Sequence, residues 1–318
     1  MRLLHFPEEV LHCLFPVCPK GLVFMKKDIK IAFIGGDMRQ VFCASRLASE
    51  GGYEVVLYGF DKYKGDVGLC TRCANLYDAL EISDVVILPL PASTDGINVN
   101  SPLSDKNISL EDIFSKVKAD KLILYGNKNE KIELLAENTG IDVYDYYDRE
   151  DYKVANAVPT AEGALSIAIT ELPVTISGSK CLVIGYGRIG KVLCRLLRAL
   201  GADVVASARK SEDLMWAKIN GCRPLRTDDI SLVIGECDII FNTVPKTILK
   251  DELLDLIKPD TLIVDLASKP GGIDFKPARE KGLNVIWALS LPSKTAPKTS
   301  GIILSDAIEE ILKEKGLV

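Results

Sequence analysis

The sequence predicts an α/β protein of two doubly wound parallel-sheet domains with a cleft between them. Three observations carry this. Short apolar runs alternate with helical patterns along nearly the whole chain, the mark of parallel strands covered by helices on both faces. One long helical stretch, VPTAEGALSIAITEL (158–172), interrupts the alternation near the middle. The 318 residues also suffice for about two domains by the usual length prior.

In the first half, IKIAFIGG (29–36) is an apolar run closed by two glycines, a buried strand with its turn. DMRQVFCASRLASEGG follows as a helix and YEVVLYGF as a second strand. DVVILPLP (84–91) and KLILYG (121–126) are further strands, KIELLAENTG a helix with a glycine end, and IDVYDYY a strand. In the 158–172 stretch Thr160 is the expected N-cap. The second half repeats the pattern: KCLVIGYG, ADVVASAR, CDIIFNTVP, TLIVDLAS and LNVIWAL as strands, with RIGKVLCRLLRALG, SEDLMWAKING and KDELLDLIK as helices. APKTSGIILSDAIEEILKEKG has apolar residues three and four apart, an amphipathic helix expected to return to the first domain. The expected divisions are a leader over 1–28, a first domain over 29–150 completed by 297–318, a linker helix over 151–172, and a second domain over 173–296.

Composition excludes several classes. The net charge is −5 and no Lys/Arg-rich run stands out, which argues against a nucleic-acid surface. No apolar stretch approaches the ~20 residues of a membrane span. Nine scattered cysteines with no repeated framework fit reduced thiols in a cytoplasmic protein. Cys70-Thr-Arg-Cys73 lacks the second ligand pair of a zinc site, so chance spacing is the expectation and no metal is assigned. The opening segment is broken by Pro7, Pro16 and Pro19 and carries Glu8 and Glu9, unlike a secretory or transit peptide. Met25 is the expected natural start, with the residues before it a start-site artefact or a loose extension.

The most informative motif is Gly185-Tyr186-Gly187-Arg188-Ile189-Gly190, a G-x-G-x-x-G that follows an apolar strand and opens a helix. Gly185 permits the tight turn, Gly187 lets backbone approach a pyrophosphate, and Gly190 packs helix on strand. A Rossmann-like dinucleotide site is therefore expected here, against the plainer reading of a ligand-free glycine turn. Such sites for NAD carry an acid at the end of the next strand. Here that position reads Ala206-Ser207-Ala208-Arg209-Lys210. A hydroxyl and two cations suit the 2′-phosphate of NADP, Arg209 above all, unless these are merely solvated charges. Asn242-Thr243-Val244-Pro245 and the 265–272 run with Ala267, Ser268 and Lys269 lie at strand carboxyl ends, where open α/β sheets bind ligands. Turn chemistry explains their prolines and glycines equally well.

The two histidines, His5 and His12, both fall in the leader. An imidazole acid–base, a Ser-His-Asp triad and a His-rich metal site are thus unavailable to the main fold. An oxidoreductase built on it needs a substrate whose proton leaves easily, or reaches a carboxylate, a lysine or water.

GGDMRQ (35–40), VPTAEGA (158–164), GYGRIGK, SARKS, NTVP, DLASKPGG-DF and LPSKTAPKTSG-IL occur in this order, and together the chain resembles the A subunits of dipicolinate synthases from about residue 29 onward. The blocks DLASKPGGIDF and LPSKTAPKTSG are far more specific than the glycine turn; the leader is the departure from the pattern. The resemblance implies an enzyme of sporulation that oxidises a dihydrodipicolinate, or its hydroxylated tetrahydro precursor, to dipicolinate with NADP. It also implies a B subunit for a partner, an oligomeric assembly, and a place in the mother-cell cytoplasm. Aromatisation drives loss of hydride and acidifies the accompanying proton, which agrees with the missing histidine. A small dicarboxylate substrate needs cations or N–H donors. Arg39, beside Gly36 at a helix N-terminus, is the first candidate; Ser93, Thr94 and Lys294 are others. Lys269 and Asp95 are the candidates for proton transfer, with no base assigned. The rival readings are an alanine-dehydrogenase-like or transhydrogenase-like NAD(P) oxidoreductase and a non-catalytic NADP sensor that regulates its partner.

Overall fold

The computed structural model describes residues 28–318. The expectations for the leader and for Met25 lie outside the described residues. The first sheet holds β1 (Lys30–Ile34), β2 (Glu54–Tyr58), β3 (Thr71–Arg72), β4 (Val85–Ile87), β5 (Leu122–Tyr125) and β6 (Asp142–Asp145) in the order β3-β2-β1-β4-β5-β6. The second holds β7 (Lys180–Ile184), β8 (Asp203–Ala208), β9 (Arg223–Arg226), β10 (Ile239–Asn242), β11 (Leu262–Asp265) and β12 (Asn284–Trp287) in the order β12-β11-β10-β7-β8-β9. All pairings are parallel. Each sheet reverses its strand order between its first and fourth strands, the Rossmann-like switch point at which ligands bind.

The central strands read as unbroken apolar runs because both faces are covered. Along β1, Ile31 and Phe33 enter one core cluster while Ala32 and Ile34 enter another. Along β7, Cys181 and Val183 face one side, Leu182 and Ile184 the other. The covering helices of the first unit are α1 (Met38–Ser49), α2 (Leu76–Ile82), α3 (Leu110–Lys116) and α4 (Glu130–Thr139). The second unit has α6 (Arg188–Ala199), α7 (Ser211–Ile219), α8 (Glu252–Asp255) and α9 (Phe275–Glu280). The edge strands β3 and β9 carry no sequence alternation, so the sequence does not predict them. Pro224 sits in β9, an edge position where its missing N–H costs no ladder bond.

The long middle helix corrects the sequence reading. α5 (Glu150–Glu171) begins before Val158 and runs through Pro159. Thr160 is therefore not an N-cap; its hydroxyl donates back to the carbonyl of Asn156 at 2.7 Å. Hydroxyls in helix interiors make such back-bonds, and here one occurs where proline interrupts the ladder.

After β12 the chain forms α10 (Leu291–Thr295) and then α11 (Pro297–Glu314), which returns to the first sheet and packs on α1. Gly301 makes the approach possible: a Cβ there would lie 2.6 Å from the Arg39 carbonyl oxygen and 2.7 Å from Cβ of Phe42. Arg46 of α1 fixes the register by donating to the Ile302 carbonyl at 3.0 Å and to Ser305 Oγ at 2.7 Å. No helix among the described residues is long and apolar enough to cross a membrane. Gly301→Val should force α11 off α1 and destabilise the protein by about 1–3 kcal/mol, the usual overpacking cost. A thermal melt equal to that of the parent would refute this account of the closure.

Candidate active site

Both sheets present their strand carboxyl ends to one cleft of about 750 Å³. The first unit contributes Arg39, Leu90, Pro91 and Asn127; the second contributes Gly187, Thr243, Pro245, the 266–269 loop and the 288–292 turn. The wall between them is α5, which offers Lys153, Asn156, Ala157 and Thr160. These are spaced i, i+3, i+4, i+7, a single helical face. Arg39, Lys153, Arg188 and Lys269 line the cleft, and no Asp, Glu, His or Cys among the described residues does. Such a surface suits anions.

The glycine turn is built for close approach. Gly185 has φ of 95°, and a Cβ there would lie 2.4 Å from Oγ1 of Thr243, whose hydroxyl donates to the Ile184 carbonyl at 2.9 Å. A Cβ on Gly190 would sit 2.1 Å from the Gly185 carbonyl oxygen, so helix α6 can meet the turn only without a side chain. Gly187 differs: its Cβ would meet nothing within 4 Å. It caps α6 with no side-chain hydrogen bond, and the first turn holds no acid. Free N–H groups thus face open space, the arrangement that takes a pyrophosphate. Ile189 lines the cleft, and Arg188 does so while paired with Glu150 of α5 at 2.7 Å.

β8 ends at Ala208, in register with Arg226 of β9. Arg209 and Lys210 follow, both exposed. Arg226 donates from Nη1 to the Arg209 carbonyl at 3.0 Å and from Nη2 to Ser211 Oγ at 3.3 Å. It adds a third cation to the SARK loop. Sequence reasoning misses it because nothing in R-P-L-R announces a strand beside β8. Ser207 is corrected from its expected place: its hydroxyl is fully buried and makes no hydrogen bond among the described residues. Tyr186 likewise points inward, 3% exposed, with its hydroxyl accepting from Asn220 Nδ2 at 3.0 Å. Burial raises its pKa. Either residue can serve a dinucleotide only through its backbone.

Asp265 ties the far side together. It is fully buried. Its Oδ1 accepts from Asn242 Nδ2 at 2.7 Å and from the Ala267 N–H at 3.1 Å, and its Oδ2 from the Gly272 N–H at 2.8 Å. The loop carrying Ala267, Ser268 and Lys269 is thereby fixed against the strand that leads to Thr243, Val244 and Pro245. Ala267, Ser268 and Lys269 line the cleft.

Arg39 is 6% exposed. Its Nε and Nη2 bond the carboxylate of Asp37, the α1 N-cap, at 3.0 and 2.8 Å, and Nη2 also donates to the Leu90 carbonyl. Burial opposes its charge, yet Asp37 outweighs that and raises the pKa. Gly36 packs on the side chain of Gln40 rather than on the cleft. Ser93, Thr94, Asp95 and Lys294 are not among the lining residues. Asp95 is a turn residue: it accepts from the N–H groups of Asn98 and Ile97, from Asn98 Nδ2 and from Ser93 Oγ. These bonds, the Asn98 N–H first, hold its carboxyl below the usual range and make it a poor base. Lys294 is exposed on α10.

Residues 30–147 match the family model for the N-terminal domain of the dipicolinate synthase A subunit, and 161–269 match the D-isomer specific 2-hydroxyacid dehydrogenase, NAD binding domain. The dipicolinate synthase A subunit of Bacillus subtilis (strain 168) is 34% identical over 91% of this chain and 98% of its own length. The chain belongs to the family of dipicolinate synthase A subunits. Two crystal structures of family members superpose closely. The one from Bacillus subtilis gives a TM-score of 0.82 at 35% identity, over 91% of this chain and 97% of that one. The one from Bacillus halodurans gives 0.83 at 29%, over 91% and 99%. A transhydrogenase from Sinorhizobium meliloti shares the fold alone, with a TM-score of 0.68 at 16% identity over 90% of this chain and 94% of that one. Like its family, this chain is dehydrogenase-like, with a nicotinamide-dinucleotide domain as its second unit.

Two alanine substitutions separate binding from folding. Gly187→Ala should melt within about 0.5 kcal/mol of the parent, as open surface changes do, and lose the rise in melting temperature that dinucleotide gives. Gly190→Ala should melt lower with or without dinucleotide. Equal behaviour of the two variants would reject the assigned roles.

Proposed function

We propose that the chain catalyses NADP-dependent oxidation of a dihydrodipicolinate, or of its hydroxylated tetrahydro precursor, to dipicolinate. The observation that carries this is the cleft itself: a dinucleotide turn and a cation-lined half, free of carboxylates among the described residues, meet across α5. The bound nicotinamide supplies a hydride acceptor. The N–H groups of Gly187, Arg188 and Ile189 would hold the pyrophosphate, with Thr243, Val244 and Pro245 alongside. Arg209 and Lys210, braced by Arg226, would hold the 2′-phosphate. Ala267 and Ser268 would border the nicotinamide end, and Arg39 and Lys269 the substrate carboxylates.

The dihydro ring loses a hydride from carbon to the nicotinamide and one proton, and becomes aromatic; the hydroxylated tetrahydro precursor first loses water to reach that dihydro ring. With no carboxylate or imidazole of the described residues lining the cleft, the proton passes to water or to Lys269, which suffices because conjugation acidifies it. The same lining speaks against an alanine-dehydrogenase-like mechanism that relies on an imidazole base. The partner in this reading is a B subunit, and the setting is the cytoplasm of the mother cell during sporulation.

The test is dipicolinate formation, followed by ultraviolet absorbance, from the product of dihydrodipicolinate synthase with NADP or NAD, with and without the B subunit. NADP should be preferred. Arg209→Asp should reduce the NADP rate at least tenfold, a loss of about 1.4 kcal/mol, and gain with NAD. Dinucleotide binding without dipicolinate under any combination would remove the reaction and leave the cofactor site standing.

A further inference from the structure

The carboxyl ends of β5 and β6 carry two polar side chains that the proposed chemistry does not use. Tyr125 of β5 is in register with Asp145 of β6, so Asn127 and Tyr147 follow at matching positions on neighbouring strands. Both line the cleft. One oxygen holds them side by side: Asp145 Oδ1 accepts from the Asn127 N–H at 2.9 Å and from the Tyr147 N–H at 2.8 Å. Asn127 is exposed, Tyr147 is half-buried, and neither side chain makes a hydrogen bond among the described residues. The Tyr147 ring meets that of Tyr152 edge-on, with centroids 6.0 Å apart. After Glu150, the Tyr147 phenol also raises the pKa of Arg188, so its oxygen is turned across the cleft toward the second unit.

Asn127 has φ of 73°, a left-handed conformation that glycine adopts more readily. Where a turn alone is needed, glycine is the easier choice; asparagine adds an amide donor. The position is tied to Arg39. Arg39 Nη2 donates to the Leu90 carbonyl, and a Cβ on Gly126 would lie 2.7 Å from Cβ of Leu90. It would also lie 2.6 Å from the hydroxyl oxygen of buried Tyr146, which donates to the Leu88 carbonyl at 3.0 Å. The guanidinium therefore stands over the end of β4, one strand from Asn127 and two from Tyr147. Two strand spacings are about 10 Å, which suits a ring with a carboxylate on each side of its nitrogen and a hydrogen bond of about 3 Å at either end.

We propose that Asn127 and Tyr147 are specificity-determining residues that hold the second carboxylate of the substrate, through the amide N–H and the phenol O–H, while Arg39 holds the first. This rests on the proposed function. Arg39 alone would take any ring with one carboxylate; the added pair selects a 2,6-dicarboxylate. Hydrogen bonds to an ionised acceptor are the stronger kind, so two neutral donors suffice. Both carboxylates are present before and after oxidation. The pair therefore sets affinity for substrate and product alike, and not the rate of the hydride step.

The test measures binding to the intact chain with NADP, by calorimetry without divalent cations. The probes are pyridine-2,6-dicarboxylate and pyridine-2-carboxylate, which lacks the second carboxylate. The parent should bind the dicarboxylate more tightly. Tyr147→Phe keeps the ring against Tyr152, and Asn127→Gly suits the left-handed backbone, so neither should impair folding. Each should weaken the dicarboxylate about tenfold and leave the monocarboxylate within about twofold, as expected for one hydrogen bond to a charged group. Equal binding of both probes by the parent, unchanged dicarboxylate affinity in either variant, or equal weakening of both probes would overturn the roles of Asn127 and Tyr147 and leave the proposed reaction standing. Failure of the parent to bind either probe while it still binds NADP would overturn both.

Discussion

The cleft depends on the buried carboxylate of Asp265. A charge removed from water is costly unless a cation or hydrogen-bond donors surround it. Here the donors are Asn242 Nδ2 and the N–H groups of Ala267 and Gly272. Meeting that demand shapes the loop. A Cβ on Gly272 would come within 1.9 Å of Asn242 Nδ2, and one on Gly271 within 2.9 Å of Asp265 Oδ2. The glycines of DLASKPGG thus answer to the carboxylate, and the residues before them, Ala267 to Lys269, are the ones turned to the cleft. Turn chemistry accounts for the glycines of this motif, and the proposed ligand contacts fall to different residues, Ala267 to Lys269.

That division explains what the sequence makes legible. The strands of both sheets can be read because burial on both faces writes continuous apolar runs. The glycine turn can be read because strand, turn and helix are adjacent in the chain. Arg226 and Asn156 cannot. Arg226 matters because β9 lies beside β8, a pairing at the sheet edge with little pattern of its own. Asn156 reaches the cleft because α5 continues through Pro159, whereas a proline usually argues for a boundary. Asp95 misleads for a related reason: a carboxylate just after a strand end suggests a site, and only the bonds from Asn98, Ile97 and Ser93 reveal a turn.

The electrostatic design of the cleft follows from where its acids are placed. Among the described residues, acids stand just behind the cations and not in the cleft. Asp37 holds Arg39, Asp148 holds Lys153 and Glu150 holds Arg188. Each pairing fixes a long, flexible side chain and leaves its charge adjacent to the opening, which lowers the entropy lost when an anion binds. Lys269 has no such brace among the described residues; it is exposed on its loop and free to follow a ligand.

The two halves are also joined by contacts that run through α5. Arg188, on the first residue of the dinucleotide helix, pairs with Glu150 at the start of α5. The adjacent Arg149 pairs with Asp151 and reaches Glu314 of α11 at 2.6 Å. α11 in turn packs on α1, which carries Arg39. Exposed pairs of this kind contribute about 0–1 kcal/mol each, so their role is geometric more than energetic. In the proposed reaction they set the distance between a pyrophosphate at Gly187 and a carboxylate at Arg39 through one continuous helix. A hydride passes only between atoms held at contact distance, and a spacing set by a helix holds that distance better than one set by a loop.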